Sequence, residues 1–201
     1  MEMVVEELNI ADSIGAQYVV LHTGSASGED PREARKRAAT SLAEVAAADG
    51  WRAGLLLENT AGERGDITSK IGDIADIVRR VPSGLIAGIC LDTCHAFAAG
   101  YDIASQEGIA VLADDIRKHI GKRGLKLVHL NDSKGPLSSG LDRHEHIGNG
   151  RIGVEGFRRF LGHPFFSGLP LILETPKKKD EDDPRNLQVV RELLREMPSA
   201  H

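Results

Sequence analysis

The chain has 201 residues, enough for one domain with a real core and too short to demand two. At 41% hydrophobic and 27% charged its composition is that of an ordinary soluble protein, and a formal charge of −5 argues against a generic nucleic-acid binder held by a basic surface. The two cysteines, Cys90 and Cys94, have no second pair beside them, which indicates neither a disulfide framework nor a four-thiolate zinc site.

In chain order, residues 2–15 read as an amphipathic helix and QYVVLH (17–22) as a buried strand. A helix is expected over 30–49, a strand in AGLLLE (53–58), and a helix over 66–80 with Asp66 as its N-cap. LIAGICLD (85–92) is a strand, 105–120 a helix and LKLVHL (125–130) a strand. A Gly/Ser/Asp-rich loop (131–150) leads to a short helix near 154–161, the strand LPLILE (169–174) and a closing helix over 185–196. The run KKKDEDD (177–183) reads as a solvated loop. No apolar run approaches a membrane span and the start is acidic, so a cytoplasmic protein with reduced thiols is expected.

Strands that are apolar throughout, alternating with helices, imply an α/β fold with a parallel sheet covered on both faces. Five βα units fit either a small doubly wound sheet or an incomplete (β/α)8 barrel, which in full takes eight strands and roughly 250 residues. Residues 1–201 are expected to form a single domain.

The chemistry clusters at the strand ends. The five strands end on or beside His22, Glu58, Asp92, His129 and Glu174, although Asp, Glu and His make up only about one residue in five. Barrel enzymes keep their catalytic groups at those ends. Several acidic groups converging on one mouth would repel each other unless cations neutralised them, which points to metal binding. Two further sets sharpen this. Asp92 and His95 lie three apart in DTCH; Asp142 and His144 flank Arg143 in DRHEH, where i and i+2 point the same way in extended chain. Mixed imidazole and carboxylate ligation suits Zn²⁺, or alternatively Mn²⁺, better than Ca²⁺ or Mg²⁺. His119, His146, His163 and His201 read as structural or solvent-exposed.

The segments VVLHTGS, LLENTAG, CLDTCHAFAAGYD, VHLNDSK, LDRHEHIGNGRIG and LILETP, in this order, resemble the endonuclease IV family of apurinic/apyrimidinic endonucleases. The resemblance runs from about residue 1 to 196. It implies a (β/α)8 TIM barrel with three zinc ions at its C-terminal mouth. His22 would bind the first zinc and Glu58 would bridge the first and second. Asp92, His129 and Glu174 would complete the second, and His95, Asp142 and His144 would hold the third. It also implies that three strands of the family barrel precede the first helix here. One further zinc-binding histidine of the family, a ligand of the first zinc, has no match in this chain. About two zincs would then bind tightly and the first weakly, with poor nicking by this chain alone.

The implied reaction is a DNA-repair step, hydrolysis of the phosphodiester 5′ to an abasic site and removal of 3′-blocking groups, with Glu58 and Glu174 as catalytic carboxylates. The implied partner is damaged double-stranded DNA, with no membrane, and unpaired barrel edges would allow dimerisation. Lys134, Arg143, Arg151 and Lys177 are the candidate phosphate contacts. A xylose isomerase-like sugar isomerase or epimerase would use one or two metals on Glu58, Asp92, His129 and Glu174, and would have no need of His95, Asp142 and His144. A third reading is an inactive metal-binding fragment.

Overall fold

The computed structural model describes residues 2–48, 50–82 and 84–196; Asp49, at the end of the second expected helix, and His201 lie outside them. Helices and strands alternate: α1 (Glu2–Ile14), β1 (Tyr18–Leu21), α2 (Pro31–Ala46), β2 (Gly54–Glu58), α3 (Ile71–Arg80), β3 (Ile86–Asp92), α4 (Thr93–Ala98), α5 (Gln106–His119), β4 (Leu125–His129), β5 (Asp132–Ser133), β6 (His144–Glu145), α6 (Gly153–Gly162), β7 (Leu171–Ile172) and α7 (Asp182–Arg195). The main sheet runs β1-β2-β3-β4-β7 with every pairing parallel, and β5 and β6 form a small antiparallel hairpin. A doubly wound sheet reverses its strand order at a switch point. Here the order follows the chain without reversal, which is the connectivity of a barrel arc.

Local chemistry explains the element ends. Asp30 accepts a hydrogen bond from Arg32 N and Pro31 opens α2, while Ser105 caps α5 through Gly108 N. The α3 helix buries Ile71, Ile74, Ala75 and Ile77, one apolar stripe at helical spacing. It begins five residues later than expected. Asp66 is not its N-cap; that carboxylate instead accepts from the amides of Gly62 and Glu63 and closes the loop ahead of the helix. The residues just past Asp92, to which the sequence assigns no element, form the helix α4, capped by Asp92 through His95 N at 2.7 Å.

The two faces of the sheet differ sharply. Leu55, Leu57, Ile89, Leu91 and Val128 face outward into one large core shared with the helices. Leu56, Cys90 and Leu127 face inward, with Tyr18, Val20 and Ala87 packed against them. Strand alternation then puts His22, Glu58, Asp92 and His129 on that same inner face, one step further along the strands.

The phase of β3 needs a correction to achieve this. Ala87 and Cys90 both face inward although they are three residues apart. The register shift at this point pairs Leu55 with Ile86 but Leu56 with Gly88, a bulge that resets the alternation and turns Asp92 inward. Glycine is required there by a close approach, since a Cβ on Gly88 would lie 2.1 Å from the carbonyl oxygen of Gly124. We expect Gly88→Ala to destabilise the fold by about 1–3 kcal/mol. Urea denaturation should show a lower midpoint at unchanged slope, and an unchanged midpoint would contradict the bulge argument.

Candidate metal centre

Eight side chains, from the ends of five strands, from α4 and from the loop 131–150, meet at the C-terminal rim of the sheet. Glu58, at the end of β2, is almost wholly buried, with Oε2 3.0 Å from His22 Nε2 and Oε1 2.9 Å from His129 Nδ1. His129, which ends β4, also approaches Glu174 Oε2 at 3.1 Å. Asp92 pairs with His129 in strand register and is fully buried. Glu58, Asp92, His129 and Glu174 each present one donor atom within 4.8 Å of the others.

A second group lies beside this one. His95, from α4, places Nε2 3.1 Å from Asp142 Oδ1, and His144, from β6, places Nε2 3.2 Å from the same oxygen. The loop 131–150 therefore folds back over the strand ends, with β5 and β6 pinning it as a hairpin. His22, Glu58 and His95 form a third donor group of the same size. All eight residues expected as ligands from the sequence are thus brought together.

Two buried nitrogens show what the arrangement lacks. His95 Nδ1 faces the carbonyl oxygen of Asn59 at 2.9 Å and His144 Nδ1 faces that of Glu174 at 2.9 Å. A carbonyl only accepts, so each Nδ1 carries a hydrogen and each Nε2 is left toward Asp142. Both Nε2 atoms are buried without an aligned hydrogen-bond partner, so the short distances to Asp142 are approaches of donor atoms to a common point. Imidazoles fixed at one nitrogen by a carbonyl, with the other aimed at a carboxylate, have the arrangement of metal ligands. The donor set fits a divalent cation.

The electrostatics express the same demand for positive charge. Burial raises Glu58, but hydrogen bonds from His129 and His22 outweigh it and hold the carboxyl at about 2. Burial opposes a charge on His129, yet contacts with Cys90, Glu174 and Glu58 push it to about 12. His95 rises to about 9 against burial, through Asp142 and Asp92. Asp142 is held below the carboxylate range by His144 and His95, and Glu174 is lowered by His129. Complete burial pushes Asp92 upward. The Cys90 and Cys94 thiols sit against the centre, within donor range of Glu58 and His129 and of Asp92 and His144 respectively. Burial raises them to about 11 and about 12, so both are neutral thiols near pH 7.

Sequence reading missed the residues that hold the ligands. Asn59 exchanges hydrogen bonds with the backbone of Asp92. Thr93 accepts from Asn131 N and donates to its carbonyl. Asn131 reaches both Asp92 and Glu174, and Asp132 gathers amides of the 131–153 segment. The available signal was the placement of Asn59 and Asn131 one or two residues beyond a strand-end ligand. Among the phosphate candidates, Arg143 lies between Asp142 and His144. Lys134 is 4.0 Å from Glu145, and Lys177 is engaged by Asp183 at 2.7 Å. His119 pairs with Asp115 and His146 with Asn186.

Comparison with known proteins bears on this centre. Residues 1–197 match the family model described as xylose isomerase-like TIM barrel. The probable endonuclease 4 of Aquifex aeolicus is 43% identical over 194 residues, 96% of this chain and 68% of that protein. The chain belongs to the endonuclease IV family. The crystal structure of endonuclease IV from Thermus thermophilus superposes with a TM-score of 0.79 at 35% identity, covering 96% of this chain and 66% of that one. A D-tagatose 3-epimerase-like protein shares the fold, with a TM-score of 0.70 at 24% identity, over 96% of this chain and 68% of its own. The chain thus spans about two thirds of the length of the family members it matches. No helix among the described residues is long and apolar enough to cross a membrane.

The shifted groups fix how the metal-free protein responds to pH. The stabilisation from the raised His95 and His129 is complete below about 6.5 and is lost as pH rises through about 9 and about 12. That from Glu58 is complete above 4.5 and is lost as pH falls toward about 2. Chelator-treated protein should therefore be less stable in urea at pH 8.5 than at pH 5.5, each histidine contributing a slope of up to about 1.4 kcal/mol per pH unit. Zinc should reverse the trend, because its binding displaces those protons. Greater stability of the metal-free chain at pH 8.5 would contradict the charge assignment.

Proposed function

We propose that this chain is the metal-bearing part of a DNA-repair endonuclease that hydrolyses the phosphodiester 5′ to abasic sites and clears 3′-blocking groups. The observation that carries the reading is the separate His95–Asp142–His144 group beside the four-residue group Glu58–Asp92–His129–Glu174. A sugar isomerase or epimerase with one or two metals has no use for the former. The names and sequence identities of the family members support the same choice.

In this reading Zn²⁺ is the resident metal, as the imidazole and carboxylate donors favour, with Mn²⁺ as the alternative. His22 and Glu58 serve the first site, Glu58, Asp92, His129 and Glu174 the second, and His95, Asp142 and His144 the third. When bound, the ions supply Lewis acidity toward phosphate oxygens and water. The chain's own residues do the rest. Glu58 joins two donor groups and fixes their spacing. Glu174, about half exposed at the opening, is held ionised by His129 and orients the attacking water together with Glu58. Arg143 and Lys134 stand on the loop that closes over the centre and Arg151 directly follows it, where their cations would meet backbone phosphates. Lys177 contributes less, since Asp183 already neutralises it.

The decisive experiment counts zinc per chain and assays nicking of an abasic duplex beside turnover of ketose and aldose sugars. We expect nicking that a chelator removes and zinc restores, and a loss of at least about 100-fold in kcat for Glu58→Gln, since even outer partners of metal ligands typically cost 10–100-fold. Sugar epimerisation without nicking would replace this reading with the isomerase one. Zinc binding with neither activity would leave a metal-binding fragment.

A further inference from the structure

Two neighbouring residues that ligate nothing support the two donor groups from opposite sides. Asn131 is fully buried just beyond β4. Its Nδ2 donates to Asp92 Oδ2 at 2.6 Å and to Glu174 Oε2 at 3.3 Å, and its Oδ1 accepts from Glu174 N at 2.8 Å. One amide thus ties the end of β3 to the chain after β7, across the strand β4 that lies between them. Both side chains it holds belong to the four-residue group.

Asp132 is also fully buried, and it begins the hairpin strand β5. Its Oδ1 accepts from Ser133 N at 2.8 Å and Ile152 N at 3.0 Å, and its Oδ2 from Gly148 N at 2.9 Å and Gly150 N at 3.0 Å. Gly153 N approaches both oxygens. These amides come from the two ends of the loop that carries Asp142 and His144. A Cβ on Gly150 would lie 2.4 Å from Asp132 Oδ1, so the glycine is what lets the chain wrap the carboxylate. No hydrogen bond of Asp132 reaches Glu58, Asp92, His129 or Glu174. The supports meet at two points: the Glu174 carbonyl receives His144 Nδ1, and Asp92, held by Asn131 through Oδ2, accepts from His95 N through Oδ1.

We propose that the Asn131–Asp132 pair sets the two metal affinities separately, Asn131 as the positioning residue of the four-residue group and Asp132 as that of the His95–Asp142–His144 group. The proposal rests on the metal reading above. Its physical basis is that a ligand held in place before binding loses less conformational freedom on binding, so removing its support weakens the ion it serves. A purely structural role would loosen both groups together.

The test uses Zn²⁺ alone, titrated into the metal-free full chain against a chromophoric chelator, in two backgrounds. Asp142→Ala/His144→Ala leaves the four-residue group, and Glu58→Gln/Glu174→Gln leaves the other. In the first background Asn131→Ala should weaken zinc by about 10–100-fold and Asp132→Asn by less than about 3-fold; in the second the order should reverse. Asn131→Leu and Gly150→Ala, which removes or crowds the same contacts, provide second variants should either of the first fail to fold by thermal unfolding. Equal weakening of both groups, or no weakening of either, overturns the proposal while leaving the metal reading intact. Absence of zinc binding by the unmodified chain overturns the metal reading and this proposal with it.

Discussion

Glu58 and Asp92 are carboxylates with almost no exposure, at the ends of adjacent parallel strands and facing the same side. A buried unpaired charge costs several kcal/mol, so the surroundings must answer it. Glu58 is answered by imidazoles from three different segments, His22, His95 and His129. Asp92 is answered by the amide of His95, the side chain of Asn131 and, farther off, His144. The bulge at Gly88, the short helix α4 and the folded-back loop 131–150 are the backbone features that bring those partners to the two carboxylates.

The candidate ligands are legible in the sequence because of a simple geometric rule. A parallel strand covered on both faces shows its chemistry only where it ends, so a polar residue after an apolar run stands out, as Glu58, Asp92 and His129 do. The supporting residues carried no such mark. Asn131 and Asp132 lie in a Gly/Ser/Asp-rich stretch where polar residues are the norm, and only the folded chain reveals that both are fully buried. Asp66 misled for a related reason. Asp before a helix is a good N-cap, but it closes tight loops equally well, and the choice was made by Gly62 and Gly65, whose positive φ angles allow the turn around it. The lysine run looked uniformly solvated, yet Lys177 is held by Asp183 while Asp182 accepts from the backbone of Lys178 and Lys179.

The fold by itself does not choose the chemistry. The arc of parallel strands is shared with an epimerase-like protein at 24% identity, and such folds carry many activities. What separates the readings is confined to α4 and one loop. His95 is presented by the helix that Asp92 caps, and Asp142 and His144 by the segment that Asp132 gathers. In the proposed reading the difference would rest on how a loop is anchored to the strand ends, and the anchor is a buried carboxylate, Asp132, that belongs to none of the donor groups.

Protons and metal ions compete for the same role in this centre. The imidazoles of His95 and His129 are pushed upward by the carboxylates around them, and Glu58, Asp142 and Glu174 downward by the imidazoles, while burial pushes Asp92 upward. The metal-free chain can therefore hold positive charge where an ion would sit, which lets buried acidic ligands coexist before metal arrives. Under the proposed metal reading, a cation bound there would exchange with protons already held instead of neutralising bare charge. In the proposed metal reading the histidines would do two jobs in succession, counter-ions first and ligands afterwards. That sequence requires each ring to be fixed at one nitrogen by something other than the metal, which the carbonyls of Asn59 and Glu174 accomplish for His95 and His144.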